Sequence, residues 1–186
     1  MRTFVAVELD EPCRRGLREA VEALRGLAGG VRWVKPDALH LTLKFIGELG
    51  ELDLPRAVEC LGPATSGRGP FSMRVAGLSG FPPRGTPRIV HVGVEEPTGT
   101  LSALQAAVDK ALADGLGVAP EGRRYVPHVT LGRVKNPRAC VPVEEMSGAL
   151  ERQEFGRVDV SSFVLMKSDL RPTGAVYSVV HRFPLG

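Results

Sequence analysis

Cysteine is scarce: three in 186 residues, at Cys13, Cys60 and Cys140, far apart and with no CxxC pair. An odd, scattered set leaves at least one thiol free, which argues against a disulfide framework and fits buried thiols in a reducing compartment. Nowhere do about eighteen apolar residues run together, so no membrane-spanning helix is expected. The first residues, Met1-Arg2-Thr3-Phe4-Val5-Ala6-Val7-Glu8, have too short an apolar stretch for a secretion signal and read as a strand. A cytoplasmic location is the expectation. Long basic runs, low-complexity segments and obvious linkers are also missing, which excludes a nonspecific nucleic-acid tail and a chain of separate modules.

What is present suits a packed domain. Apolar residues make up 43% and charged residues 24%, and 24 Lys and Arg against 21 Asp and Glu give a net charge of +3. That sign suits an anionic partner, with nucleic acid the obvious one. The length fits one compact domain, residues 1–186, or two tightly fused lobes. Phe4 to Leu9 reads as a strand, and Leu17, Ala20, Val21, Leu24 and Leu27 recur at helical spacing after Pro12. Val31 to Val34 is extended, and Leu39 to Ile46 forms a second strand ending at Gly47. Leu54, Ala57, Val58 and Leu61 suggest a second helix. Strands are predicted over Phe71 to Leu78, Ile89 to Val94 and Tyr125 to Leu131. Leu101, Leu104, Val108, Ala111 and Leu112 form an amphipathic helix between the last two. The span from Pro137 to Glu154 predicts at most a short helix, and Phe163 to Met166 and Ala175 to Val180 read as closing strands. The order strand, amphipathic helix, histidine-bearing strand occurs twice. That echo suggests a duplicated α+β unit with two pseudo-symmetric lobes.

Chemistry concentrates at two of the four histidines. The chain reads His40-Leu41-Thr42-Leu43 at one and His128-Val129-Thr130-Leu131 at the other. A histidine followed by apolar, Thr, Leu arises by chance on the order of 10⁻³ per histidine, so two in four are not an accident of composition. Residues two apart share a strand face, so each motif shows a His and a Thr on one side and buries two apolar residues on the other. If the strands lie side by side, two imidazoles and two hydroxyls line one cleft. An imidazole exists as base or acid near neutrality. A pair flanking a phosphorus atom can take a proton from water and give one to a leaving oxygen. Threonine hydroxyls can hold the non-bridging oxygens.

These motifs resemble those of the 2H phosphoesterase superfamily, and more closely its RNA 2′,3′-cyclic phosphodiesterases, the 2′-5′ RNA ligase family. The resemblance is carried by Phe4-Val5-Ala6-Val7, by Arg32-Trp33-Val34 with Pro36 and His40-Leu41-Thr42-Leu43-Lys44-Phe45-Ile46-Gly47, and by Tyr125-Val126-Pro127-His128-Val129-Thr130-Leu131-Gly132-Arg133. It implies two α+β lobes with antiparallel sheets around a central cleft and helices outside. It implies hydrolysis of RNA 2′,3′-cyclic phosphate ends to a 2′-phosphate, with weak reverse 2′-5′ joining. It further implies His40 as the acid and His128 as the base; the near-symmetric motifs themselves do not distinguish the two.

Around the motifs, two readings stand for most residues. Lys44 shares a face with His40 and Thr42 by period two, and is either a phosphate contact or a solvated strand-end lysine. Arg133 faces away in a regular strand, but Gly132 could let the chain turn it back toward the phosphate, the role the resemblance favours. Trp33, Phe81 and Tyr125 are either base-stacking surfaces or core, and Phe45 is assigned to the core. Arg84, Arg88, Arg123 and Arg124 are phosphate contacts or plain surface. His91 reads as core or edge, and His181 as exposed. No set of ligands suits zinc, and no cofactor is expected. The partner is RNA with 2′,3′-cyclic phosphate ends, tRNA halves among the candidates, and nothing demands more than a monomer. Two competing functions use the same cleft: hydrolysis of another ester, such as ADP-ribose 1″,2″-cyclic phosphate or an RNA-end phosphodiester, and RNA-end binding without turnover.

Overall fold

The computed structural model describes residues 1–150, 153–171 and 174–186. The strands are β1 (Arg2–Glu8), β2 (Val31–Trp33), β3 (His40–Glu48), β4 (Phe71–Phe81), β5 (Ile89–Glu95), β6 (His128–Val134), β7 (Glu154–Val160), β8 (Ser162–Arg171) and β9 (Gly174–Pro184). The helices are α1 (Glu11–Arg25), α2 (Leu54–Leu61), α3 (Thr100–Leu116) and α4 (Val143–Gly148). Asp10 caps α1 by accepting from the Cys13 amide at 2.9 Å, and Pro12 sits in its first turn. Gly117 ends α3 in the left-handed conformation (φ 67°).

The protein is α+β, built on one curled, wholly antiparallel sheet in the order β7-β4-β5-β6-β3-β1-β8-β9, with β2 paired to β6. The seam lies at β3–β6, where Leu41 pairs with Val129. Reading outward from that seam, β5 answers β1 and β4 answers β8, so the repeat seen in the sequence reappears as mirrored strand order. The halves interlock. Gly16 of α1 packs on the backbone of Phe155 in β7, and only a hydrogen in place of Cβ allows that approach, since a Cβ would lie 3.0 Å from the Phe155 oxygen. In return α3 packs on β3 and α2. One large apolar core runs through both halves, from Val5 and Leu41 to Val92 and Leu131, and a smaller cluster of Phe4, Ala6, Val164 and Met166 stands apart from it.

Two β-bulges decide what faces the cleft. On β3, Ala6 pairs with Thr42 and Val5 with Lys44, so Leu43 is the extra residue. On β6, His91 pairs with Thr130 and Val90 with Gly132, so Leu131 is the extra residue. Each bulge falls three residues after its histidine, and each reverses the alternation beyond it. This corrects two expectations on β3. Lys44 turns away from the cleft into the helix side, where it is 3% exposed and its Nζ lies 2.6 Å from Asp109 of α3. Phe45, assigned to the core, turns outward and is 59% exposed. Strict period two holds only where every residue has a ladder partner. The same register shift brings Arg133 onto the exposed side of β6.

Candidate active site

His40 and His128 open their strands, and their backbones fix their rings in the same way. His40 Nδ1 donates to the Ala38 carbonyl at 2.8 Å, and His128 Nδ1 donates to the Val126 carbonyl at 2.8 Å. A carbonyl only accepts, so each Nδ1 carries hydrogen and each Nε2 is left to exchange protons. The Leu41–Val129 pairing sets His40 opposite Thr130 and Thr42 opposite His128. The histidines are then diagonal neighbours, a relation that separates backbones by about 7–8 Å and leaves long side chains within mutual reach.

Each imidazole is walled by rings. Phe4 stacks on His40 at 4.7 Å, and Tyr177 of β9 meets it edge-on at 5.2 Å. Phe81 meets His128 edge-on at 5.0 Å, and His91 lies 5.0 Å from it. Burial pushes the His40 pKa below the usual 6.5; its hydrogen bond to Ala38 opposes this, and the charge of His128 adds to the fall. His91, 5% exposed and stacked on Phe81 at 4.2 Å, is pushed down to about 4 by burial and then by the charge of His128.

A cavity of about 580 Å³ joins His40, Thr42, Thr130 and Arg133. Trp33 and Phe45 line it as well. Gly132 makes room for Trp33, since a Cβ there would sit 3.0 Å from the indole and 2.5 Å from Val31. Other expected contributors lie elsewhere. Lys44 is spent on Asp109 and on the Ala119 carbonyl (2.7 Å). Tyr125 is no open stacking surface: its hydroxyl donates to the Thr42 carbonyl at 3.0 Å, and burial pushes its pKa up. It precedes β6, which begins at His128 rather than at Tyr125. Phe81 stands beside His128 with one face taken by His91. Arg84, Arg88, Arg123 and Arg124 are exposed and outside this cavity; Arg124 and Tyr125 line a separate cavity of about 710 Å³. His91 is core and His181 exposed, as expected. Among the described residues no three His, Cys, Asp or Glu side chains are grouped to hold a metal, and no helix is long and apolar enough to cross a membrane.

Sequence reasoning missed Phe45, Tyr177 and the cations Arg2, Arg32, Lys35 and Lys135, which also line the cleft. The bulge that exposes Phe45 has no local signature, and Tyr177 arrives from the far end of the chain. Arg32 and Lys35 flank Trp33, so their nearness to the motif was the one available signal.

A curled antiparallel sheet whose two seam strands each open on a His-x-Thr motif, with His40, Thr42 and Thr130 lining one cleft and His128 outside its lining, is the architecture of the two-histidine phosphoesterases. Within that class, the chain belongs to the 2′-5′ RNA ligase superfamily, whose profile matches residues 12–172. An RNA 2′,3′-cyclic phosphodiesterase of Methanothermobacter thermautotrophicus is 38% identical over 185 residues, covering 100% of this chain and 99% of its own. That of Archaeoglobus fulgidus is 37% identical over 185 residues, covering 98% and 99%. A crystal structure of a Thermus thermophilus protein matches with a TM-score of 0.83 at 33% identity, over 100% of this chain and 98% of that one. E. coli LigT in its apo form shares the fold, with a TM-score of 0.77 at 20% identity over 99% and 96%.

Proposed function

We infer that the protein hydrolyses 2′,3′-cyclic phosphate ends of RNA to 2′-phosphomonoesters, with His40 and His128 as the acid–base pair. The observation that carries this is the matched pair of imidazoles, each with Nδ1 spent on the carbonyl two residues before it and Nε2 free. The phosphate would sit between them, its non-bridging oxygens held by Thr42, Thr130 and the Arg133 guanidinium. Water loses a proton to neutral His128 as its oxygen bonds to phosphorus. The bond from phosphorus to O3′ breaks, and protonated His40 supplies the proton to O3′. The two histidines then hold each other's starting protonation state, and proton exchange with solvent resets them. Burial favours the neutral form of His40, so the reacting state with His40 protonated is the minor one, and its proton is the more readily given. The curated relatives of M. thermautotrophicus and A. fulgidus bear the name of this reaction. RNA ends, tRNA halves among them, are the proposed substrate, and a cytoplasmic monomer is the proposed form.

The test is incubation with an oligonucleotide ending in a 2′,3′-cyclic phosphate, in EDTA, with 2′- and 3′-phosphate products resolved. The 2′-phosphate is the expected product, and His40→Ala and His128→Ala should each lower kcat by about 10²-fold or more while leaving the far-UV spectrum unchanged. The kcat/KM profile should be a bell whose acid limb lies below pH 6.5, because the active form needs one imidazole charged and one neutral, and the His40 pKa is depressed. Turnover surviving in both variants would remove the mechanism.

A further inference from the structure

The two histidine strands meet along a short joint. Between β3 and β6 the register holds one pair, Leu41 with Val129, among the described residues. His40 and His128 each take their direction from a carbonyl two residues earlier, but the two carbonyls are held differently. Ala38 ends the single turn Pro36–Ala38, where its own amide donates to the Lys35 carbonyl at 2.9 Å and the Leu39 amide donates to the Pro36 carbonyl at 3.2 Å. Val126 lies in residues 117–127, which form neither helix nor strand, and it is 49% exposed. A carbonyl on such a segment has no ladder to fix it. Tyr125 precedes it directly. The Tyr125 ring packs on the core, and its hydroxyl crosses the seam to donate to the Thr42 carbonyl at 3.0 Å. Burial keeps that phenol protonated, so it remains a donor. The other ties lie farther back or stay within one half. Lys44 donates to the Ala119 carbonyl at 2.7 Å, and the Glu121 amide donates to Asp109 at 3.2 Å. The Val94 amide donates to the Pro127 carbonyl at 3.1 Å, which fastens the segment to β5 and not to β3.

We propose that Tyr125 is a positioning residue for the reaction: its hydroxyl, held by Thr42 of the first motif, fixes the Val126 carbonyl and through it the direction of the His128 imidazole of the second. The register places Thr42 opposite His128, so the hydroxyl joins the backbones on which a phosphate ligand and a proton-transfer group are mounted. Without it, the Val126 carbonyl turns away and the His128 Nδ1 hydrogen loses its acceptor. The ring then takes the tautomer with hydrogen on Nε2, which cannot accept a proton from water. His40, anchored in its own turn, is indifferent to the change. The effect on turnover rests on the proposed reaction; the orientation of the ring does not, and can be read without turnover.

Tyr125→Phe keeps the ring and removes the hydroxyl alone, and urea unfolding verifies that the variant is folded under assay conditions. Nitrogen NMR of the imidazoles, recorded above their titrations, reads the tautomers. In the wild type His40 and His128 should both carry hydrogen on Nδ1. In Tyr125→Phe the Nε2–H form of His128 should become populated while His40 stays as it was. On an oligonucleotide ending in a 2′,3′-cyclic phosphate, kcat should fall on the order of tenfold, the worth of one hydrogen bond, with KM unchanged. Lys44→Met cuts another tie of the same segment, and should leave kcat and both tautomers unchanged despite its lower stability. It controls for destabilisation alone. An unaltered His128 tautomer in Tyr125→Phe would overturn the positioning role whatever kcat does. So would the same tautomer change at His40, or in Lys44→Met, because that reports general loosening. A shifted His128 tautomer with kcat intact would show that the strut does not serve the reaction. The shift alongside no hydrolysis by the wild type would sink the proposed reaction and leave the strut standing.

Discussion

His91 lies stacked under Phe81 and 5.0 Å from His128, and neither of its ring nitrogens has a hydrogen-bond partner among the described residues. Its folded pKa of about 4 has a definite consequence for stability. Above pH 6.5 the ring is neutral in both folded and unfolded chains. As pH falls from 6.5 toward 4, the unfolded chain takes up a proton that the folded chain refuses, so stability drops; below about 4 both are protonated and the loss levels off. At pH 5 the cost from this one group is about 2 kcal/mol. His91→Leu should therefore change stability little at pH 7, since no hydrogen bond is lost, and should remove about 2 kcal/mol of the wild-type decline between pH 7 and pH 5. Urea unfolding of both proteins at the two pH values measures it, and parallel declines would show that His91 is not the titrating group. The same neutrality suits its place beside His128, because a cation there would oppose protonation of that ring in the proposed reaction.

The strands β3 and β6 share a buried-exposed pattern residue for residue from their histidines onward, and both carry their bulge at the third position after it. The His-x-Thr face was legible in the sequence because its residues precede the bulge and obey period two. Lys44 and Phe45 were not, because they follow it, and a bulge is set by pairing with β1 that no local residue pattern reveals. Arg133 was half-legible: Gly132 marked a departure from regular strand, though the structure gives that glycine a steric role against Val31 and Trp33. The reversal places Lys44 where its ammonium must be compensated, and Asp109, the Ala119 carbonyl and Glu121 at 3.4 Å do so. Lys44→Met alone should cost about 3 kcal/mol by leaving the Asp109 carboxylate without its ammonium, and Asp109→Leu alone less, since the Ala119 carbonyl and Glu121 still compensate Lys44. The double variant should recover most of it. A double-mutant cycle by urea unfolding checks this, and additive losses would refute a coupled pair. Folded Lys44→Met should keep its turnover, since its side chain faces away from the cleft.

Across the whole molecule, the repeat is visible as strand order, yet the halves exchange their coverings. The first half supplies α1 to the second half's β7, and β2 to its β6. The second half supplies α3 to β3 and α2, close enough that Gly115 packs on Cys60, where a Cβ would lie 2.5 Å away. Sequence periodicity reports which face of each helix is apolar but not which strands that face meets, so the helices were legible and their partners were not. The exchange matters for the site, because the histidines come from different halves and their geometry is only as rigid as the joint. Either half alone would expose Leu17, Leu24 and Val21 of α1, or Leu104, Val108 and Leu112 of α3, all buried in the intact chain. Burying each such side chain is worth about 1.5–3 kcal/mol, comparable in sum to the whole stability of a domain. The halves should therefore unfold together. Trp33 is the one tryptophan and sits on the exchanged strand β2 against Gly132 of β6, so its fluorescence reports the joint directly. Far-UV circular dichroism reports all helices and strands at once. Urea transitions followed by the two signals should coincide in midpoint and slope. A fluorescence change that precedes loss of ellipticity would mean that the joint opens while each half stays folded, and the two imidazoles would then be held by independent bodies rather than by one sheet.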